Sequence, residues 1–245
     1  MEITSANNPR YKSWLKALEG RGIKKQGQAV LAGKKFLQEV LAGHKDRVLA
    51  LLAREGMPCP APENVPLYTM PGELFENLDI YGTGAPLMLI SAPEPPAWPG
   101  RLEQGITLFL PFQNPINLGT IIRSAAALGA QVVATTEAAN IYHPKTLRAA
   151  GPGIFKAKIM QGPSLSELAG LTGLPLFALG LNGSNLFRFK FPATFGLVAG
   201  MEGPGLEEIW PQENMLTIPM QPGVESLNAG AAVDMALGAI LAGTG

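Results

Sequence analysis

The chain has 245 residues, of which 47% are hydrophobic and 16% charged, and its formal net charge is zero. No apolar run reaches the roughly 18–20 residues that cross a bilayer, and the first ten residues contain no apolar signal core, so we expect a soluble, cytoplasmic protein without a membrane partner. One cysteine, Cys59, and two histidines exclude an intramolecular disulfide framework and argue against a Cys/His zinc site, so we expect no metal.

The first 90 residues predict a small α/β unit. Helices are expected at residues 9–18 and 34–41, and short buried strands at residues 47–53 and 86–91. Residues 91–105 (SAPEPPAWPGRLEQG) are rich in Pro and Gly and predict an interdomain linker. We therefore divide the chain into a domain of residues 1–90, this linker, and a second domain of residues 106–245.

Strands and helices alternate in the second domain. Strands are predicted at residues 106–110, 131–135, 176–179, 195–199 and 215–218. Helices are predicted at residues 118–128, 164–171 and 205–210, and a final helix carries an apolar stripe over residues 233–241. The alternation indicates an α/β fold with a mostly parallel sheet covered by helices on both faces. Ligands of such sheets bind at the carboxyl ends of the strands.

The charges are distributed unevenly along the chain. Residues 1–54 hold eleven Lys and Arg against four Asp and Glu, a balance of +7, whereas residues 55–245 hold eight against fifteen, a balance of −7. A basic segment beside an acidic body indicates one end that meets an anion such as nucleic acid. The alternative interpretation is that these charges belong to a helical surface that only contacts solvent.

Three polar or Gly-rich clusters follow predicted strands. In the first, residues 114–130 (NPINLGTIIRSAAALGA), Asn117 is predicted to cap a helix that ends at Gly129. The remainder of that helix is apolar, so Arg123 is expected to face a cleft or an anion. A salt-bridged structural arginine is the alternative.

The second cluster, residues 200–206 (GMEGPGL), has three glycines that allow a ligand close to the main chain, and Glu202 is its only carboxylate. The third, residues 218–232 (IPMQPGVESLNAGAA), places Ser226 and Asn228 near the start of the last helix, where they can also act as caps. The chain has no G-x-S-x-G elbow, P-loop or G-x-G-x-x-G motif. We therefore expect a bound cosubstrate to supply the reactive group.

Taken in order and spacing, the three clusters resemble the signature motifs of the SpoU/TrmH class of SPOUT methyltransferases. Residues 142–155 (YHPKTLRAAGPGIF) resemble the family's segment between the first two motifs. The N-terminal domain is similar to the family's RNA substrate-binding domain, whose fold is like that of certain ribosomal proteins. That similarity is carried by residues 5–10, Arg21 and residues 31–40.

This resemblance implies an S-adenosylmethionine-dependent enzyme that methylates a ribose 2′-hydroxyl in structured RNA. It also implies a deep trefoil knot in the C-terminal domain and a homodimer with the active site near the subunit interface. By the same resemblance the catalytic set is Asn117, Arg123, Glu202, Ser226 and Asn228, and the methyl donor is held around Gly200, Gly203, Ile218, Met220 and Leu227.

The family's equivalent of Arg123 is proposed to assist deprotonation of the ribose hydroxyl, with help from an RNA phosphate. Because an arginine is almost always charged, phosphate anchoring and true general-base action both stay open. The predicted RNA contacts are Arg21, Lys24, Lys25 and Arg123.

The separate basic N-terminal domain favours rRNA over tRNA as the substrate. The alternatives are a tRNA 2′-O-methyltransferase, a non-catalytic RNA-binding protein that keeps the fold, and an unrelated nucleotide- or small-molecule-binding α/β enzyme. The sequence departs from the family pattern at Ala32, Ala150, Pro152 and Gly230, none of which belongs to the proposed catalytic set.

Overall fold

A computed structural model describes residues 1–201, 206 and 208–243. They form two compact units, Met1–Glu94 with Tyr142–Phe155, and Pro95–Ile141 with Lys156–Gly245. The helices are α1 (Pro9–Lys16), α2 (Gly20–Gln26), α3 (Lys34–Gly43), α4 (Gly72–Leu78), α5 (Pro115–Leu128), α6 (Pro144–Ala150), α7 (Gly153–Lys156), α8 (Leu165–Ala169) and α9 (Ala229–Gly243). The strands are β1 (Gln28–Leu31), β2 (Val48–Arg54), β3 (Leu67–Met70), β4 (Leu87–Ser91), β5 (Gly105–Leu110), β6 (Gln131–Ala134), β7 (Ile159–Gln161), β8 (Leu176–Asn185), β9 (Thr194–Val198) and β10 (Met215–Thr217). No helix in the described part of the chain is long and apolar enough to cross a membrane.

The first unit is built on a four-stranded sheet in the order β1-β4-β2-β3. Strands β1 and β2 run antiparallel to β4, and β3 runs parallel to β2. Helix α1 begins at Pro9 because the Asn8 side chain accepts a hydrogen bond from the amide of Arg10, a cap followed by a proline in the first turn. The helix buries Tyr11 and Trp14 in the core of this unit.

Residues Tyr142–Phe155 belong to the first unit, although they lie between two strands of the second. The guanidinium of Arg47 lies over the Phe155 ring at 5.5 Å, and that of Arg148 lies over the Tyr81 ring at 4.3 Å. These contacts are cation–π interactions. The domain predicted at residues 106–245 includes this segment, whereas the structure places it in the first unit.

The second unit contains a six-stranded sheet in the order β10-β8-β9-β5-β6-β7, in which every neighbouring pair is parallel. An α/β fold with a parallel sheet and helices is therefore confirmed. The interior of the sheet is apolar because β5, β6 and β9 are buried along nearly their whole length.

The predicted cap of the first helix in this unit is wrong. Helix α5 begins at Pro115, and its cap is Asn114, whose side chain accepts from the amide of Ile116, so Asn117 lies inside the first turn. The predicted helix at residues 205–210 falls partly on residues 205 and 207, which lie outside the described residues. Of the others, Leu206 and residues 208–210 form a turn, in which the Trp210 amide donates to the Leu206 carbonyl at 2.9 Å.

Candidate active site

A cavity of about 410 Å³ lies in the second unit, where the loops that follow the strands meet. Its walls come from the middle of β8, the residues after β9 and β10, and the first turns of α5 and α9. The lining residues are Asn114, Asn117, Leu179, Gly180, Leu181, Gly200, Met201, Ile218, Met220, Ser226, Leu227, Asn228, Ala229 and Ala232. This is the position at which parallel α/β sheets bind ligands.

The backbone after β9 passes close to β8 at the cavity wall. A Cβ placed on Gly200 would be 3.0 Å from the carbonyl oxygen of Leu179, so a side chain there would crowd the main chain of β8. Glycine at this position keeps the two backbone segments together and leaves peptide groups at the cavity surface.

Two asparagines join the helices that border the cavity. Asn117 is only 9% exposed, and its Oδ1 accepts a long, 3.4 Å hydrogen bond from Nδ2 of Asn228. The Oδ1 of Asn228 in turn accepts from the amide of Ala231 at 3.1 Å, which caps the start of α9. Asn228 thus acts as the predicted helix cap and also links α9 to α5.

The structure brings most of the predicted site residues of the second unit together. Seven of them line the cavity: Asn117, Gly200, Ile218, Met220, Ser226, Leu227 and Asn228. Glu202 and Gly203 lie outside the described residues. The cavity also has lining residues that sequence reasoning missed. Of these, Asn114 had a usable signal, since an asparagine directly before a proline is a common helix start.

Arg123 is exposed on α5 and does not line the cavity. It forms no hydrogen bond or ion pair with any other described residue. The alternative interpretation, a structural arginine held by a salt bridge, therefore has no support among the described residues. Six residues of helix separate it from Asn117, which places its backbone about 9 Å along the helix axis and about 120° around it. Its charge therefore faces solvent in the described chain.

The predicted RNA contacts of the first unit lie on α2. Arg21, Lys24 and Lys25 are all exposed. Lys24 Nζ lies 3.2 Å from Glu94 Oε1, but both side chains are about 70% exposed, so this ion pair holds Lys24 only weakly. The three cations stay available to an anionic partner.

The described lining residues of the cavity carry no ionisable side chain. Their amides, hydroxyl and peptide groups can orient a ligand, and their Leu, Ile and Met side chains can cover an apolar ring. Such a lining binds and positions a ligand. Its chemistry suits a ligand that carries its own reactive group.

Comparison with known proteins identifies the family. A relative from Syntrophobacter fumaroxidans, ribosomal RNA small subunit methyltransferase G 2, is 42% identical over 96% of this chain, and the chain spans 48% of that protein's length. The 23S rRNA (guanosine(2553)-2′-O)-methyltransferase RlmP of Bacillus subtilis is 24% identical over 94% of this chain and 95% of its own. The structure of an AdoMet-bound rRNA methyltransferase from Sinorhizobium meliloti superposes with a TM-score of 0.81 at 19% identity, over 99% of this chain and 98% of that one. Residues 106–238, more than half of the chain, match the SpoU rRNA methylase family, and the chain belongs to this family.

Proposed function

We propose that this chain transfers a methyl group from S-adenosylmethionine to a ribose 2′-hydroxyl of structured RNA, with rRNA favoured over tRNA. The observation that carries the proposal is the cavity at the strand ends, bordered by the linked amides of Asn117 and Asn228. Family membership supports RNA methylation, and the full-length similarity to RlmP, a 2′-O-methyltransferase of 23S rRNA, supports the ribose and the rRNA.

The cavity fits the methyl donor. Its volume of about 410 Å³ falls within the range of ordinary small-molecule sites. Leu179, Ile218 and Leu227 offer apolar surface for an adenine ring, and the peptide groups around Gly200 offer hydrogen bonds for its edge. By family resemblance Met220 and Gly203 complete the donor site. When bound, S-adenosylmethionine supplies an electrophilic methyl group.

The chain's own residues then orient the acceptor. A ribose hydroxyl is a poor nucleophile, so it must lose its proton as it attacks and must be held in line with the methyl group. Asn117, Ser226 and Asn228 position the ribose, and Glu202 belongs to the same set by resemblance. Arg123 anchors an RNA phosphate, because its charge is permanent, exposed and without a partner among the described residues.

The proposal includes a homodimer. Helices α5 and α9 pack against each other and leave four large apolar side chains exposed, namely Ile116 (52%), Leu128 (44%), Met235 (44%) and Leu241 (37%). Exposed apolar groups on neighbouring helices favour burial by a second copy. A partner subunit that covers the exposed side of α5 at Ile116 would lie near Arg123, which is on the same helix.

The proposal also includes the trefoil knot of the family. The knot is proposed on the resemblance to the family. The N-terminal unit, with its four-stranded sheet and exposed α2 cations, acts as the RNA substrate-binding domain.

Donor binding and product mapping test this function. The full-length protein is titrated calorimetrically with S-adenosylmethionine and then incubated with labelled donor and either rRNA or tRNA from cells that lack it. We expect measurable donor binding and label in rRNA at a position that resists alkaline hydrolysis, since 2′-O-methylation blocks that cleavage. Label at an alkali-sensitive position would contradict ribose methylation, and label in tRNA alone would contradict the rRNA preference. RNA binding without donor binding would support a non-catalytic protein instead.

A further inference from the structure

The connection from β8 to β9 has an unusual composition. Residues 187–191 (FRFKF) alternate three phenylalanines with Arg188 and Lys190. The chain has no acidic residue between Glu167 and Glu202, and these two cations are the only Lys or Arg in that stretch. The segment is therefore a local concentration of positive charge in a part of the chain whose overall balance is negative.

Two of the phenylalanines hold the segment against the sheet. The ring centroid of Phe189 lies 4.8 Å from that of Phe177 in β8, and the Phe191 centroid lies 4.5 Å from that of Phe195 in β9. The two anchors also contact each other at 4.9 Å. Both are half-buried. Aromatic pairs at these distances are favourable, so the backbone between the anchors is fixed.

The other three side chains are exposed. Phe187 is 53% exposed, and Arg188 and Lys190 form no hydrogen bond or ion pair with other residues in the described ranges. Phe189 has extended backbone angles (φ −79°, ψ 136°). Arg188 ends the 3₁₀ turn Leu186–Arg188 directly before Phe189, and Arg188 and Lys190 are both exposed on either side of this anchored ring.

The segment begins beside the cavity wall. Asn185 at the end of β8 pairs with Thr217 of β10, and the next residue after Thr217 is Ile218, which lines the cavity. The Asn185 side chain accepts from the amide of Phe187 at 2.9 Å and so fixes the turn that presents this ring. The exposed ring thus lies two residues from a strand pair that borders the donor cavity.

We propose that residues 187–191 form an RNA-contact surface of the second unit, separate from the α2 cations, which binds the single-stranded RNA that flanks the methylated nucleotide. The Phe187 ring stacks on an unpaired base, and Arg188 and Lys190 contact the adjacent phosphates. Alternating aromatic and cationic side chains suit this partner, because every base has a stackable face and every linkage a charge. This inference rests on the proposed function.

The test uses the full-length protein and a single-stranded oligouridylate of about twelve nucleotides, a length that one such surface can occupy. Binding is followed by fluorescence anisotropy at several salt concentrations. Arg188→Gln/Lys190→Gln removes both cations, and Arg101→Gln/Lys156→Gln is the charge-matched control, since both of its targets are exposed cations of the same unit outside the segment. We expect the first pair to reduce the slope of log K against log salt by about 1.4, or 0.7 for each phosphate contact on a single strand. The control should leave the slope unchanged.

Phe187 is tested separately with Phe187→Leu and Phe187→Trp, which both keep an apolar side chain at that position. Loss of a base stack should weaken binding of the oligouridylate about fivefold or more in the leucine variant, with the salt slope unchanged, and tryptophan should restore it. Unaltered affinity and slope in all variants would overturn the proposal. So would a leucine variant that changes the sedimentation coefficient but not RNA affinity, because the surface would then be a contact between copies of the chain.

Failure of this inference is distinguishable from failure of the proposed function. Donor titration of each variant should match the wild type, since none of the substituted residues lines the cavity. A wild-type protein that binds neither donor nor RNA contradicts the enzymatic function itself. A wild type that binds both, with variants that behave identically, removes only residues 187–191 from the RNA-contact surface.

Discussion

Replacing Gly230 by alanine would perturb the spacing of α5 and α9 at the cavity. Gly230 is buried in the first turn of α9. A Cβ placed there would be 3.2 Å from Oδ1 of Asn228 and 3.4 Å from Oδ1 of Asn117. Contacts this tight require the neighbouring atoms to give by a few tenths of an ångström. Both neighbours line the cavity, so the added methyl group should distort the donor site.

Two effects of this substitution oppose each other in stability. Alanine favours a helix over glycine by about 0.5–1 kcal/mol. Crowding weakens the hydrogen bond between Asn228 and Asn117, whose contribution is about 1 kcal/mol at most because it is already 3.4 Å long. We therefore expect little net change in the free energy of unfolding. The helix preference of alanine does not contribute to donor binding, so only the crowding at the asparagines acts on it. The Kd for the donor should therefore rise by roughly fivefold, the equivalent of about 1 kcal/mol.

Gly238→Ala is the matched control. Gly238 lies on the exposed side of the same helix, and a Cβ there would meet nothing within 4 Å. With an unchanged sedimentation coefficient, this variant should gain only the helix preference of alanine, which raises Tm by about 1–4 °C in a chain of this size, and its donor Kd should be unchanged. The assays are calorimetric titration with S-adenosylmethionine and thermal melting of all three proteins. If Gly230→Ala binds the donor as tightly as the wild type, the asparagine pair does not shape the donor site.

Three further variants test the remaining assignments. Arg123→Ala should lower the methyl-transfer rate by about 100-fold or more with an unchanged donor Kd, because Arg123 does not line the cavity; near-normal turnover would remove it from the catalytic set. Neutralising the three α2 cations together should weaken RNA binding and flatten its salt dependence by about one unit for each lost phosphate contact, and superimposable salt slopes would leave α2 without a role in RNA binding. Burial, and secondarily the charge of Lys145, lowers the pKa of His143, whose Nδ1 accepts from the Lys145 amide and caps α6. The folded state therefore resists protonation of His143. The stability that neutral His143 contributes is complete above its ordinary pKa of about 6.5 and is lost as the pH falls below that value. His143→Asn keeps a capping acceptor that does not titrate, so its Tm should fall less than that of the wild type between about pH 7.5 and 5.5, and an identical fall would assign the pH dependence to other groups.

Elements with a strong local pattern were predictable from the sequence. The central strands β5, β6 and β9 are continuous apolar runs because they are buried on both faces, and their observed bounds differ from the predicted ones by one residue. The long helices α5 and α9 carry a clear apolar periodicity and were also found. Shorter elements such as α2, α6 and β7 have too few residues for a periodicity to stand out, and they were missed.

The missed half of β8 has a different physical cause. Apart from Leu181, residues 180–185 (GLNGSN) are small or polar and have little intrinsic preference for a strand. They are extended because Ser184 and Asn185 pair with Leu216 and Thr217 of β10, a contact more than thirty residues away in sequence. Local propensity contains no information about that partner. The position of Leu181 in the cavity wall depends on this pairing, so it could not be predicted from the sequence either.

The four departures from the family pattern separate into two groups once the units are known. Ala32, Ala150 and Pro152 all lie in the first unit, where they are buried, and α6, which ends at Ala150, packs on β1, which directly precedes Ala32. A polar side chain at Ala150, which is only 1% exposed, would be buried and would need a hydrogen-bond partner. These three departures therefore bear on packing within the first unit. Gly230 alone lies against Asn117 and Asn228, so of the four it is the one whose replacement should act directly on the cavity.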